Sequence, residues 1–194
     1  MRVIAFWLNA VTGGRITPAA VTWTGFVMHV PIAVLIGQGE FIWAAVLLVV
    51  FGLFDALDGE LARLQNSASV KGMLLDASTD RMKEVLLYAG VAYYFSAHGY
   101  DAFSLATVAI ALGASLSVSY VKAKGEAAIA SGGKKIPHAT LNRMFADGVL
   151  TFEMRMAVLI LGLLTDLLVV AVAVIAVLAT YTAFQRLVRI SRSL

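Results

Sequence analysis

The sequence contains no cysteine, which excludes disulfides, thiolate zinc sites and cysteine nucleophiles. Charged residues are also scarce, at 14% of 194 residues, against about 25% in soluble domains. Hydrophobic residues make up 60%, so the composition excludes an ordinary soluble protein. The net charge of +3 does not indicate nucleic-acid binding, because the basic residues flank apolar segments, where anionic lipid head groups are the expected partners.

Six hydrophobic segments predict an all-α integral membrane protein that forms a single domain over residues 1–194, because each has close to the roughly 20 residues that cross a bilayer. The segments lie near residues 18–36, 41–62, 73–97, 102–124, 148–165 and 167–187. Residues 1–10 are too short for the apolar region of a cleavable signal. We expect residues 2–9 to form a short amphipathic helix at the membrane interface instead.

The basic residues are distributed asymmetrically. All fifteen Lys and Arg residues fall on one side of the six-span arrangement, which includes the long basic gap at residues 125–147. Lys and Arg are enriched in cytoplasmic loops. The sequence therefore predicts a multi-pass protein of the plasma or inner membrane with both termini and any site on that side in the cytoplasm.

Two pairs of aspartates lie inside the predicted second and third spans. Asp55 and Asp58 are three residues apart and Asp76 and Asp80 are four apart, so each pair shares a helix face. The apolar run of residues 41–54 before the first pair corresponds to about 20 Å of helix, and a run of similar length follows the second pair. We therefore expect both pairs at a similar depth, so that antiparallel neighbours would bring four carboxylates together.

Such a cluster needs compensation, because each Asp at mid-membrane costs roughly 2.5–3.5 kcal/mol. Oxygen-only ligands favour Mg²⁺, with Mn²⁺ or Ca²⁺ as alternatives, over zinc. The alternative is that the aspartates merely pair with Arg63, Arg81 and Lys83. Glu60 and Glu84 are expected to be simple ion-pair partners.

The spacing of these residues is D-x-x-D-G-x-x-A-R-x(8)-G-x-x-x-D-x-x-x-D. The fixed positions are Asp55, Asp58, Gly59, Ala62, Arg63, Gly72, Asp76 and Asp80. This pattern resembles the signature of the CDP-alcohol phosphotransferase family without a departure. Gly59 also removes a side chain where a bulky ligand could approach the backbone.

The resemblance implies a homodimeric membrane enzyme that binds a CDP-linked lipid and divalent metal, with two ions expected, in a cavity open to the cytosol. By similarity, Asp55, Asp58 and Asp76 hold the metal, with Asp80 also near it. By the same resemblance, Asp80 corresponds to the residue that acts as general base toward the acceptor hydroxyl. The CDP-donor pocket would be formed by Asp55, Asp58, Gly59, Ala62, Arg63 and Gly72.

The acceptor alcohol is indicated by cations near the cytosolic ends of the fourth and fifth spans. Lys122, Lys124 and Arg155 would suit an acceptor that is itself a phosphate ester; the alternative is that they are anchors that fix span depth. The stretch at residues 119–126 and the opening T-P-x-x-V-T at residues 17–22 resemble the prokaryotic phosphatidylinositol phosphate synthases, although Lys124 stands where that branch usually has Arg. Inositol phosphate is therefore the expected acceptor, and glycerol 3-phosphate is the alternative.

The remaining motifs indicate simpler roles, and two functions of other classes compete with the transferase. The stretch Gly132–Lys135 is interpreted as a flexible basic loop, Arg186, Arg189 and Arg192 as head-group anchors, and His29 as a packing histidine. A divalent-cation transporter is a hypothesis of another class, because intramembrane acids also line ion pathways. It would require polar residues on both sides of the membrane, whereas the acids here lie on one side. A non-catalytic scaffold is disfavoured by the intact set of four aspartates.

Overall fold

The computed structural model describes residues 1–131 and 149–193. Over these residues the chain is all-helical, as predicted. It forms α1 (Arg2–Thr12), α2 (Pro18–Gly37), α3 (Phe41–Leu64), α4 (Val70–Ala97), α5 (Ala102–Ser131), α6 (Phe152–Leu164) and α7 (Leu168–Ser193). The helices divide into two compact units, Met1–Gly99 with α1–α4 and Tyr100–Leu194 with α5–α7.

Local signals explain where the helices of the first unit begin and end. α1 ends at Gly13, whose φ of 59° is in the left-handed region that glycine adopts easily. α2 begins after Thr17, whose side chain accepts a hydrogen bond from the backbone N–H of Ala20, and Pro18 occupies its first position. α4 begins in the same way after Ser69, whose hydroxyl oxygen accepts a hydrogen bond from the N–H of Gly72.

In the first unit, α2 packs against both α3 and α4, whereas α3 and α4 contact each other less extensively. The α2–α4 contact is close because Gly90 has no side chain: a Cβ at this position would overlap the backbone of Ala33. α1 packs with Ala5 against Val21, Leu57 and Leu61. The first unit therefore holds α3 and α4 on a common support, α2.

The second unit is built on α7, which packs against both α5 and α6. Buried small and branched residues recur along α7 at Val172, Ile175, Ala176 and Ala179, which is the spacing of one helix face. Gly162 of α6 lies so close to Ala171 of α7 that a Cβ on the glycine would overlap that side chain.

Within residues 1–131 and 149–193, four helices are long and apolar enough to cross a membrane: Pro18–Gly37, Phe41–Leu64, Ala102–Ile129 and Leu168–Arg192. Their outward faces carry large exposed apolar side chains such as Ile42 and Val177, which indicates a membrane protein. α4 is long enough but carries six charged residues between Lys71 and Glu84, and α6 has only 13 residues. The predicted number of six spans therefore stays a prediction, as does the position of α1 at the interface.

Candidate functional site

The carboxylate cluster lies in the first unit, where α3 and α4 face each other. One carboxylate oxygen from each of Asp55, Asp76 and Asp80 can be chosen so that the three lie within 4.8 Å of one another. Carboxylate oxygens this close together could share one divalent cation. The spacing within α4 places Asp76 and Asp80 on one face, and the fold of the first unit brings Asp55 of α3 to them.

The donor chemistry of the cluster also fits a divalent cation. The Oδ1 atom of Asp76 is buried and accepts no hydrogen bond from the part of the chain that the structure describes. A buried carboxylate oxygen without a partner is unfavourable because it has lost its hydration. An ion bound by oxygen ligands would supply the missing partner.

Asp58 is held differently from the other three aspartates. Its side chain is buried, and its Oδ2 atom accepts a hydrogen bond of 2.5 Å from the hydroxyl of Thr22 on α2. Both residues line the same cavity as Asp76. Thr22 was not predicted as a site residue, although it belongs to the T-P-x-x-V-T stretch at the start of α2.

Cations also reach the cluster. The ammonium group of Lys83 is fully buried and contacts both Asp55 and Asp80, the latter at 3.1 Å between Nζ and Oδ1. Arg81 pairs with Glu84 at 3.0 Å and lies 3.7 Å from Asp80 Oδ2. The alternative of ion pairing is therefore correct in part, since Lys83 and Arg81 do contact aspartates. In contrast, Arg63 pairs with Glu60 at 2.7 Å, as expected for a simple ion pair.

A cavity of about 480 Å³ adjoins the carboxylates. It is lined by residues of α2, by the loop before α4 and by the first turns of α4. Five of the six residues of the predicted donor pocket line it, and Asp55 does not; the five are Asp58, Gly59, Ala62, Arg63 and Gly72. A Cβ on Gly59 would meet no atom closer than the Arg63 guanidinium at 3.8 Å, so this glycine keeps open space rather than allowing two protein segments to touch.

The predicted acceptor residues Lys122, Lys124 and Arg155 all belong to the second unit. Lys122 lies 3.9 Å from Glu126, and Lys124 lies over the ring of Tyr120. Arg155 is almost fully buried and donates a hydrogen bond of 3.2 Å to the backbone carbonyl of Leu150. A side chain that anchors a span keeps its charged group in water, so the burial of Arg155 does not match the anchor interpretation.

Sequence analysis missed the burial of Arg186. Its side chain is only 8% exposed and donates to the carbonyl oxygen of Val118, and its Nε atom has no hydrogen-bond partner among the described residues. Arg155 is near enough for the two charges to repel each other. The three-residue spacing of Arg186, Arg189 and Arg192 gave no sign that the first of them is buried.

The remaining candidates are simpler. His29 is buried and forms a 2.7 Å hydrogen bond with the carbonyl oxygen of Gly25, which confirms a packing histidine. The stretch 132–135 lies outside the described residues.

Comparison with known proteins gives consistent matches. The chain is 38% identical over 116 residues to the phosphatidylinositol phosphate synthase of Corynebacterium glutamicum, which covers 58% of this chain and 52% of that protein. The match thus spans about half the length of that relative. The synthase of Mycolicibacterium smegmatis is 32% identical over 189 residues, covering 92% of this chain and 79% of that protein.

Solved structures of the phosphatidylinositol phosphate synthase of Mycobacterium tuberculosis are also similar. One, with CDP-DAG bound, superimposes with a TM-score of 0.81 at 28% identity and covers 97% of this chain and 92% of that one. Another, in complex with manganese and citrate, has a TM-score of 0.80 at 28% identity, and the match covers 97% of this chain and 87% of that one. The model of the CDP-alcohol phosphatidyltransferase family matches residues 15–178. With the aspartate spacing intact and the fold shared, the chain belongs to the CDP-alcohol phosphatidyltransferase family.

Proposed function

We propose that the chain transfers a phosphatidyl-type group from a CDP-activated lipid to inositol phosphate and releases CMP. The observation that carries this proposal is the buried, unpartnered Oδ1 atom of Asp76, which belongs to a three-carboxylate cluster beside a cavity. A buried carboxylate oxygen without a hydrogen-bond partner is stabilised by a bound cation. A cation at the edge of the cavity would in turn attract an anionic ligand. The relatives named phosphatidylinositol phosphate synthase support the choice of acceptor.

The cavity suits the nucleotide end of the donor. Its volume of about 480 Å³ falls within the roughly 300–1,000 Å³ typical of small-molecule sites. Gly59 and Gly72 keep its wall open, and the Arg63 side chain is 67% exposed and paired only locally with Glu60. We expect this guanidinium to turn toward the pyrophosphate, which it can grip with two parallel hydrogen bonds. The lipid tails, as esters or ethers, would lie in the membrane.

In the proposed reaction the acceptor hydroxyl oxygen attacks the phosphorus that carries the lipid. The bond from this phosphorus to the oxygen of CMP breaks, and CMP leaves with the electron pair. The hydroxyl proton passes to the Asp80 carboxylate, because an alcohol is a better nucleophile when a positioned base accepts its proton. Mg²⁺, with Mn²⁺ as a substitute and two ions expected, would be held by Asp55, Asp58, Asp76 and Asp80 and would stabilise the developing negative charge.

The acceptor phosphate is assigned to Lys122, Lys124 and Arg155, and we add Arg186. Arg155 and Arg186 are both buried in the second unit, where a guanidinium group could hold a phosphate ester away from bulk water. Arg also provides the bidentate geometry that phosphate oxygens accept.

The topology belongs to the same proposal. We infer six spans, which are the four apolar helices together with α4 and α6. We also infer that the protein lies in a plasma or inner membrane, with both termini and the site on the cytoplasmic side. The one-sided distribution of Lys and Arg supports this orientation. We also infer a single functional domain, because the matching family model crosses both units. The resemblance to the family supports a homodimer.

The test is CMP release by the purified protein in lipid with CDP-diacylglycerol and Mg²⁺, over a panel of acceptors. We expect release with inositol phosphate, none without metal, and none from Asp80→Asn. Release with glycerol 3-phosphate alone would keep the reaction class and overturn the acceptor. Metal-independent release, or no release with any acceptor or ether-lipid donor, would contradict the proposed function.

A further inference from the structure

Lys83 lies among the carboxylates without a role in the reaction described above. Its side chain is 0% exposed, and its ammonium group contacts Asp55 on α3 and Asp80 on its own helix, α4. These are two of the three aspartates whose oxygens could hold a metal. One buried cation thus joins the two helices at the candidate metal centre.

The charge of Lys83 lies against the cluster. Its ammonium group contacts one aspartate on each of the two helices, Asp55 on α3 and Asp80 on α4. The neighbouring Arg81 is directed mainly to Glu84, at 3.0 Å, and is farther from Asp80, at 3.7 Å. Of these two cations, Lys83 therefore lies closer to Asp80.

The geometry points to Lys83 as a positioning residue that occupies one cation position of the cluster and lowers its affinity for divalent cations. This inference rests on the proposed metal centre. Lys83 places one positive charge among the aspartates; without it the cluster is more negative by one charge, and a divalent cation is attracted more strongly.

The lysine also has a structural consequence. An ammonium group that donates hydrogen bonds to Asp55 and Asp80 keeps the two carboxylates close together before a metal binds. A carboxylate has two oxygens, so the atoms that do not contact Lys83 stay available to an ion. We expect the lysine and the metal to share these carboxylates, so that metal binding changes the lysine contacts rather than assembling the site from separated helices.

The experiment measures Mn²⁺ binding by electron paramagnetic resonance, in which free Mn²⁺ gives the signal, using the full chain in lipid nanodiscs. The variants are Lys83→Gln, which removes the charge but keeps a hydrogen-bond donor, and Lys83→Arg, which keeps the charge. Arg2→Gln is the control for loss of a positive charge elsewhere, because Arg2 is an exposed cation of α1 that does not line the cavity. Lys83→Met, unbranched and of similar length, provides a second uncharged variant.

We expect Lys83→Gln and Lys83→Met to bind Mn²⁺ at least tenfold more tightly than the parent protein, and Lys83→Arg and Arg2→Gln to stay within about threefold. The Mn²⁺ concentration for half-maximal CMP release should fall in parallel, while kcat falls because Asp80 is less well oriented. A merely structural lysine would lower kcat or protein yield without tightening Mn²⁺ binding.

The outcomes separate this inference from the proposed function. Measurable Mn²⁺ binding that is equal or weaker in the uncharged variants overturns the role of Lys83 and leaves the metal centre intact. No Mn²⁺ binding in the parent or in any variant overturns the metal centre, and the inference with it.

Discussion

The contact between α2 and α4 gives a prediction that can be worked out from the structure. A Cβ at Gly90 would overlap the carbonyl oxygen, the carbonyl carbon and the Cα of Ala33. All three are backbone atoms, so no side-chain rotation can relieve the overlap. Gly90→Ala therefore requires the two helices to separate by roughly 1 Å before ordinary van der Waals distances are restored.

The magnitude follows from two opposing effects. Overpacking a close contact typically destabilises a protein by about 1–3 kcal/mol. Alanine in place of a helical glycine gains up to about 1 kcal/mol in helix propensity. Gly52→Ala on α3 isolates the second effect, because a Cβ there meets nothing within 4 Å. We expect Gly90→Ala to unfold at a lower temperature than the parent protein, and Gly52→Ala at an equal or higher one.

The effect should extend to the site. Gly90 is ten residues beyond Asp80 on α4, which is about 15 Å along the helix. Separating α4 from α2 therefore moves Asp76 and Asp80 relative to Asp58, which Thr22 of α2 holds. The assay is thermal unfolding in detergent together with CMP release at saturating Mg²⁺. Equal unfolding temperatures and activities for Gly90→Ala and Gly52→Ala would refute the close α2–α4 contact.

Three further predictions concern individual side chains. Thr22→Val removes the donor to Asp58 and should lower kcat/KM for CMP release about 10- to 100-fold, since a hydrogen bond to a charged group contributes about 1.5–3 kcal/mol, whereas Thr22→Ser should keep most activity. Asp76→Asn should abolish Mn²⁺-dependent CMP release yet raise the unfolding temperature of the metal-free protein, because it removes one negative charge from a cluster of carboxylates in which the Asp76 Oδ1 atom is buried without a hydrogen-bond partner among the described residues; a lower temperature would contradict this reasoning. Asp101→Ala should lower the temperature of thermal unfolding, because Asp101 accepts hydrogen bonds from the N–H and hydroxyl of Ser104 at the start of α5, and Asp101→Asn should lower it less.

The pH dependence of this last effect has a definite sign. The two hydrogen bonds from Ser104 lower the pKa of the Asp101 carboxyl. A carboxyl whose pKa is lower in the folded protein than in the unfolded one stabilises the fold above its unfolded pKa. That contribution is lost as the pH falls through the folded pKa. The difference in unfolding temperature between the parent protein and Asp101→Asn should therefore shrink in acid.

Much of the site could be predicted from the sequence because it depends on local periodicity. Asp55 and Asp58, and Asp76 and Asp80, share helix faces by their spacing alone. The long apolar runs predicted the helices, since residues that can lie in lipid must satisfy their backbone hydrogen bonds within a helix. The predicted boundaries were less accurate at the polar ends: the segment at 102–124 continues as helix to Ser131, because hydropathy marks the apolar part of a helix and not its end.

Tertiary structure decided how the charges are compensated. The contacts of Thr22 with Asp58, of Lys83 with Asp55 and of Arg186 with Val118 join residues that are 36, 28 and 68 positions apart. No local pattern specifies which of several cations reaches a given carboxylate, because that choice depends on how the helices pack. The sequence by itself determined the helices, the four aspartates, the family and the local pair of Arg63 with Glu60, because each depends on spacing within one segment. The packing of the helices decided that Lys83 of α4 also reaches Asp55 of α3, because only tertiary structure brings residues of different helices together.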